Sequence, residues 1–120
     1  AVWGLAFKPG TDDIREAPAF VLINQLIEAG ATVSATDPVA IDVSRKVLGD
    51  RIRFEAANYK CAEGADALCL VTEWHDYRRP NFQRLKTLLK NPVLFDGRNI
   101  WDPEEVKELG FTYYGIGRGR

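Results

Sequence analysis

Histidine and cysteine are scarce in this chain, with one His and two Cys among 120 residues. His75 has no Ser or Cys nucleophile in a recognisable motif, and it reads as a solvated loop residue. Cys61 and Cys69 do not form a metal-ligand spacing, so no metal site is expected. Cys69 sits inside Ala67-Leu68-Cys69-Leu70-Val71, where a buried, reduced thiol is the expectation. Zinc signatures, hydrolase nucleophile elbows and Walker motifs are all missing. Lys8-Pro9 lacks the preceding glycine spacing of a phosphate-binding loop. No apolar run approaches the ~20 residues of a membrane span, and no signal-peptide pattern opens the chain. An excess of charge is lacking too, with 16 basic against 17 acidic residues. That balance argues against a nucleic-acid or anionic-membrane surface. The expectation is a reduced, cytoplasmic protein. There is also no initiator methionine, and Ala1-Val2-Trp3 reads as the tail of a buried strand. A domain of a longer protein is therefore expected.

What is present alternates between strand and helix patterns. Val2 to Ala6 reads as a first strand. Pro18 opens a helix that stops at Gly30. Thr32 to Thr36, Arg51 to Glu55, Ala67 to Thr72, Val93 to Phe95 and Thr112 to Ile116 supply five more strands. Helices are expected over Ile41 to Leu48, from an Asn58 cap to Glu63, from Phe82 to Leu89, and from an Asp102-Pro103 start to Gly110. The run at Ala67 to Thr72 is the most apolar and predicts a central parallel strand buried on both faces. Such alternation predicts an α/β fold: a Rossmann-like, doubly wound parallel sheet of about six strands in order 3-2-1-4-5-6, with helices on both faces. On the first helix Val21 points outward, a candidate contact for a partner domain.

The handover from the first strand to the first helix departs from a dinucleotide fold. In place of a short G-x-G-x-x-G turn stands the charged segment Gly4 to Pro18. In an open parallel sheet ligands lie outside the carboxyl ends of the strands, at the switch between the first and fourth. That rule collects Phe7 and Lys8, Asp37, Thr72-Glu73-Trp74, and Asp96-Gly97-Arg98. Two cations near aromatic rings suit a phosphorylated ligand, Arg98 binding bidentately and Lys8 as a point charge. Equally, Lys8 and Arg98 could pair with Asp12, Asp13 or Asp96. Asp37-Pro38 reads either as a ribose-binding acid or as a helix-start signal, and Glu73-Trp74 either as ligand contact or as packing. No complete catalytic set is present.

These residues resemble a known family. Gly4-Leu5-Ala6-Phe7-Lys8-Pro9 with Thr11-Asp12-Asp13-Ile14-Arg15-Glu16-Ala17-Pro18 is similar to the opening of the C-terminal, UDP-binding domain of the UDP-glucose/GDP-mannose dehydrogenase family. Thr36-Asp37-Pro38, Thr72-Glu73-Trp74 and Phe95-Asp96-Gly97-Arg98-Asn99 fall in the family's order, and the last two look most like its UDP-glucose 6-dehydrogenase branch. The resemblance covers residues 1–120 as one UDP-sugar-binding domain. It implies an oxidoreductase that takes the C6 alcohol of UDP-glucose to the carboxylate with two NAD⁺, through a cysteine that neither Cys61 nor Cys69 matches. It further implies that Phe7, Lys8 and Arg98 contact the UDP-sugar and that Arg15 reaches across a cleft to NAD⁺. The NAD-binding N-terminal domain and the central domain are the implied partners, in a homo-oligomeric full-length protein. The isolated chain is then expected to fold, to bind UDP weakly at best and to turn over nothing. GDP-mannose or a UDP-N-acetylhexosamine as substrate, and a non-catalytic interaction module, remain alternatives.

Overall fold

The computed structural model describes residues 1–116. Six strands, β1 (Val2–Trp3), β2 (Ser34–Thr36), β3 (Arg53–Phe54), β4 (Leu68–Leu70), β5 (Val93–Asp96) and β6 (Thr112–Gly115), form one sheet of order β3-β2-β1-β4-β5-β6. Every pairing is parallel, and the register places Val2 between Ala35 and Cys69. The doubly wound Rossmann-like order expected from the alternation is the one observed.

The helices divide between the faces as right-handed crossovers require. The first, α1 (Pro18–Glu28), and the second, α2 (Ile41–Leu48), cover one face, where Ala19, Ile23 and Leu48 pack with Val2, Leu5 and Ala35. On the other face lie α3 (Asn58–Ala62), α4 (Phe82–Leu88) and α5 (Pro103–Glu108), around Trp3, Leu70, Tyr77, Leu94 and Trp101. Trp3 stacks on Tyr77 at 5.0 Å between ring centroids, and its indole N–H donates to the Asn58 carbonyl. The Asp102 helix start matches its sequence signal, its carboxylate accepting a first-turn backbone N–H, and Asn81, not expected as a cap from the sequence, does the same for α4. Asn58 does not cap α3. It is the first helical residue after Ala57, and its side chain makes no cap bond.

The strands are shorter than their apolar runs, and at β1 the reason is local. Gly4 has φ +104°, which ends the extended conformation after Trp3. A Cβ at Gly4 would lie 2.5 Å from the Thr72 backbone nitrogen, so the chain crosses the end of β4 closer than any side chain allows. β4 also departs from expectation. Leu68 and Leu70 are fully buried, but Cys69, on the α1 side, is only partly covered. The fully buried thiol is Cys61 on α3, and burial pushes both thiols up from their ordinary range. A three-residue turn of 3₁₀ helix, His75–Tyr77, has no periodic signature and was not expected from the sequence.

Gly4→Ala combines positive-φ strain with a backbone clash and should cost about 2 kcal/mol or more in denaturant unfolding. Gly30→Ala, also at positive φ but with nothing within 4 Å of its Cβ position, should cost only roughly 1 kcal/mol. Equal effects of the two substitutions would contradict the close-approach account.

Candidate functional site at the carboxyl edge of the sheet

The carboxyl ends of β1, β2 and β4 are tied together by one buried side chain. Asp37, directly after β2, is 3% exposed. Its Oδ2 accepts the backbone N–H groups of Leu5 at 2.8 Å and Ala6 at 3.1 Å, and the indole N–H of Trp74 at 3.1 Å. Its Oδ1 accepts from Val39 and Ala40, both at 2.9 Å, where the chain turns into α2. A buried carboxylate is tolerated only when its lone pairs are filled in this way. Thr72 Oγ1 adds a bond to the Ala6 carbonyl at 2.7 Å, fastening the other side of the same segment to the end of β4. Asp37 thus serves as a helix-start and strand-end bracket. Its two oxygens are engaged within the protein, which removes the ribose-binding alternative. Trp74 likewise has a packing role, lying against both cores with its N–H on Asp37.

Immediately past this bracket the chain emerges with Phe7 and Lys8 exposed. The loop then closes on itself. Phe7 N–H donates to the Asp13 carbonyl at 2.7 Å, and Asp13 N–H donates to Thr11 Oγ1. Arg15 forms a two-pronged pair with Asp13, Nε to Oδ1 at 3.1 Å and Nη2 to Oδ2 at 3.0 Å. Phe7, Asp13, Arg15 and Glu16 line an open pocket of about 380 Å³. Glu16 has φ +56°, an unusual conformation for a side-chain-bearing residue, where the loop turns towards α1. Lys8 does not line this pocket, and among the described residues it forms no ion pair.

Arg98 follows β5 on the other side of β4. Its guanidinium pairs with Glu73, Nε to Oε2 at 2.8 Å and Nη2 to Oε2 at 2.7 Å, so only one carboxylate oxygen is used. The Glu73 carboxyl lies below its ordinary range: burial pushes it up, but its own backbone N–H and the Arg98 guanidinium outweigh that. None of the acids weighed from the sequence is Arg98's side-chain partner. Asp96 instead accepts the Arg98 and Trp101 backbone N–H groups and the Tyr113 hydroxyl. Gly97 is required here, because a Cβ would lie 2.8 Å from the Leu70 carbonyl oxygen. Glu73 was not expected as the partner, although β4–β5 pairing of Leu70 with Asp96 brings both residues to neighbouring strand ends. Strand adjacency was the available signal.

Phe7 and Arg15 therefore share one pocket, whereas Arg98 stands with Glu73 beyond β4 and β5. The described residues do not form a dinucleotide cradle. The β1–α1 connection is a long charged loop, and its first glycine serves the contact with Thr72. No group of His, Cys, Asp and Glu suited to a metal occurs among the described residues, and no helix is long and apolar enough to cross a membrane.

Comparison with known proteins agrees with this geometry. Residues 1–103 match the UDP binding domain of the UDP-glucose/GDP-mannose dehydrogenase family. The chain belongs to this family. It is 49% identical to a UDP-glucose 6-dehydrogenase from Pseudomonas aeruginosa, covering 100% of this chain and 28% of that protein. It is 42% identical to UDP-glucose 6-dehydrogenase TuaD from Bacillus subtilis, covering 98% and 26%. Among solved structures, an NDP-N-acetyl-D-galactosaminuronic acid dehydrogenase from Methanosarcina mazei superposes with a TM-score of 0.86 at 30% identity, covering 99% of this chain and 24% of that one. The chain thus spans about a quarter of the length of the relatives it matches.

Two outcomes check the site's construction. Asp37→Asn puts an amide NH₂ against donors and should cost about 3 kcal/mol, with amide shifts spreading through Leu5, Ala6 and Phe7. Asp13 is held at about 2, below its ordinary 3.8, first by the Arg15 guanidinium hydrogen bonds and then by the Arg15 backbone N–H. A depressed carboxyl gives a tether that is complete above its unfolded value and lost as pH falls through the folded one. The Arg15 Nε–H resonance should therefore shift with a midpoint near pH 2, and Asp13→Asn should remove that titration.

Proposed function

We propose that this chain is the nucleotide-sugar-binding domain of an NAD-dependent UDP-glucose 6-dehydrogenase, with Phe7, Lys8 and Arg98 as its UDP-sugar contacts. The observation that carries the reading is the bracket at Asp37. It holds the Phe7-Lys8 segment at the β1–β4 switch, while Arg98 projects from the next strand end. Membership of the family and 49% identity to a UDP-glucose 6-dehydrogenase support the substrate class.

The chemistry this chain supplies is binding and orientation. Lys8 is an exposed point charge with no ion pair among the described residues, and it meets a diphosphate with little rearrangement. Arg98 is already held by Glu73 through one oxygen, and a phosphate offers it a stronger, two-pronged partner. Phe7 contributes its backbone and an exposed ring at the mouth of the site. Arg15 is the residue we assign to the cofactor, as a cation facing a nicotinamide dinucleotide held by another domain. When bound there, that cofactor accepts hydride from the sugar. The N-terminal and central domains of the longer enzyme supply the catalytic cysteine, the dinucleotide site and the homo-oligomeric contacts. A cytoplasmic setting suits such an enzyme. The sugar is specified by residues outside this chain, and the likeness to an N-acetylgalactosaminuronic acid dehydrogenase makes a UDP-N-acetylhexosamine the second reading.

Titration with UDP should perturb the amide resonances of Phe7, Lys8 and Arg98, and Arg98→Ala should abolish the response. An unchanged spectrum at saturating UDP contradicts the assignment. Dimerisation with rising concentration that ignores nucleotide would favour an interaction module instead. The purified chain with UDP-glucose and NAD⁺ should produce no NADH absorbance, and measurable turnover would overturn its assignment as a binding domain only. A panel of nucleotide sugars offered to the longer polypeptide identifies the sugar.

A further inference from the structure

The two faces of the sheet are not equally covered. Both connections on the β4-β5-β6 side place their helices, α4 and α5, on the Trp3 face. Right-handed crossovers demand this, because the chain runs in the opposite direction there from its course through β1, β2 and β3. On the opposite face α1 and α2 cover the β1-β2-β3 half, and no helix among the described residues covers the other half. What lies open is apolar. Phe95 is 42% exposed and Ile116 66%, and the Phe95 ring stacks on Tyr114 at 5.0 Å. Leu22 and Leu26, one turn apart on α1, form a wall facing this ledge, with Cys69 and Val71 as the floor between. The groove has a volume of about 510 Å³.

We infer that this groove seats an amphipathic α-helix contributed by the part of the dehydrogenase polypeptide outside these 120 residues. The inference rests on the proposed reading of the chain as one domain of a longer enzyme. Three observations select that occupant. Strands of a parallel sheet are buried on both faces, and β4 and β5, which lie inside the sheet rather than at its edge, lack on this face the layer that covers β1 and β2. The missing layer runs beside α1, where the i and i+4 leucines offer the ridge against which a neighbouring helix packs. Finally, about three quarters of each relative lies outside the matched region, which leaves ample chain to supply it. A small ligand fits poorly, since the groove offers few polar anchors and its one cation, Arg98, is engaged by Glu73. The same groove ends at Arg98, so the docked helix would reach the rim of the nucleotide site. Seating of that helix and the position of Arg98 become coupled.

Hydroxyl-radical footprinting of the 120-residue chain and of the longer polypeptide tests this. Oxidation of Phe95 and Ile116 should be at least about fivefold slower in the longer polypeptide. Val47, exposed on the outer side of α2, should react alike in both. Protection of buried Trp3 in the short chain confirms that it is folded. Equal oxidation of Phe95 and Ile116 in the two polypeptides overturns the inference. So does protection that appears in the short chain only as it dimerises, which would make a second copy the occupant. A longer polypeptide that oxidises UDP-glucose yet leaves Phe95 reactive sinks the docking site alone. One that protects Phe95 but accepts no nucleotide sugar sinks the functional reading alone.

Discussion

A single carboxylate organises the working end of this protein. Asp37 gathers donors from the end of β1, from the turn before α2 and from Trp74 after β4, segments more than thirty residues apart in sequence. Burying a charge at such a position is unfavourable unless every lone pair is used, and here five N–H groups converge on its two oxygens. The consequence is geometric. Leu5 and Ala6 cannot move relative to β2 and β4, so the residues that follow them, Phe7 and Lys8, leave the sheet from a fixed point.

The remaining polar contacts extend that order outward. Thr72 closes the Ala6 side, Gly4 and Gly97 let backbones pass where a Cβ would not fit, and Asp96 repeats the bracket on a smaller scale at the end of β5. Asp96 fixes the Gly97-Arg98 turn from below, and Asn99 fixes it from the side through two bonds to Ile116. Two solvent-facing arginines at these loops are held through weaker, exposed contacts: Arg15 with Asp13, Arg98 with Glu73. Exposed pairs of this kind contribute little to stability.

Much of this was legible in the sequence, and the parts that were not share a cause. Strand order followed from strict alternation and the crossover rule, and Pro18 and Asp102 announced their helices. Phe7, Lys8 and Arg98 could be placed at the carboxyl edge because strand ends, not side-chain contacts, define where ligands approach a parallel sheet; the family resemblance singled them out from the other residues there. The sequence alone left Asp37 between ribose contact and helix start: the local bonds from Val39 and Ala40 fit its helix-start signal, but the bonds from Leu5, Ala6 and Trp74 that fill its other oxygen come from distant segments and leave no local pattern. The Arg98–Glu73 pair is not legible locally, because it joins the ends of two adjacent strands that lie 25 residues apart in sequence. Cys69 was expected to be buried on the assumption that both faces of β4 are covered. The covering on one side is incomplete, and a hydrophobic run carries no mark of which layer is to cover it.

The central claim is that the bracketed β1 end and the β5 end present Lys8 and Arg98 to one diphosphate. A crystal structure of the chain soaked with UDP tests it most directly. The account predicts the diphosphate within hydrogen-bonding distance of both Lys8 Nζ and the Arg98 guanidinium, with Arg98 turned away from Glu73 and the Asp37 bonds unchanged. A diphosphate bound elsewhere, with Arg98 still paired to Glu73, would contradict it.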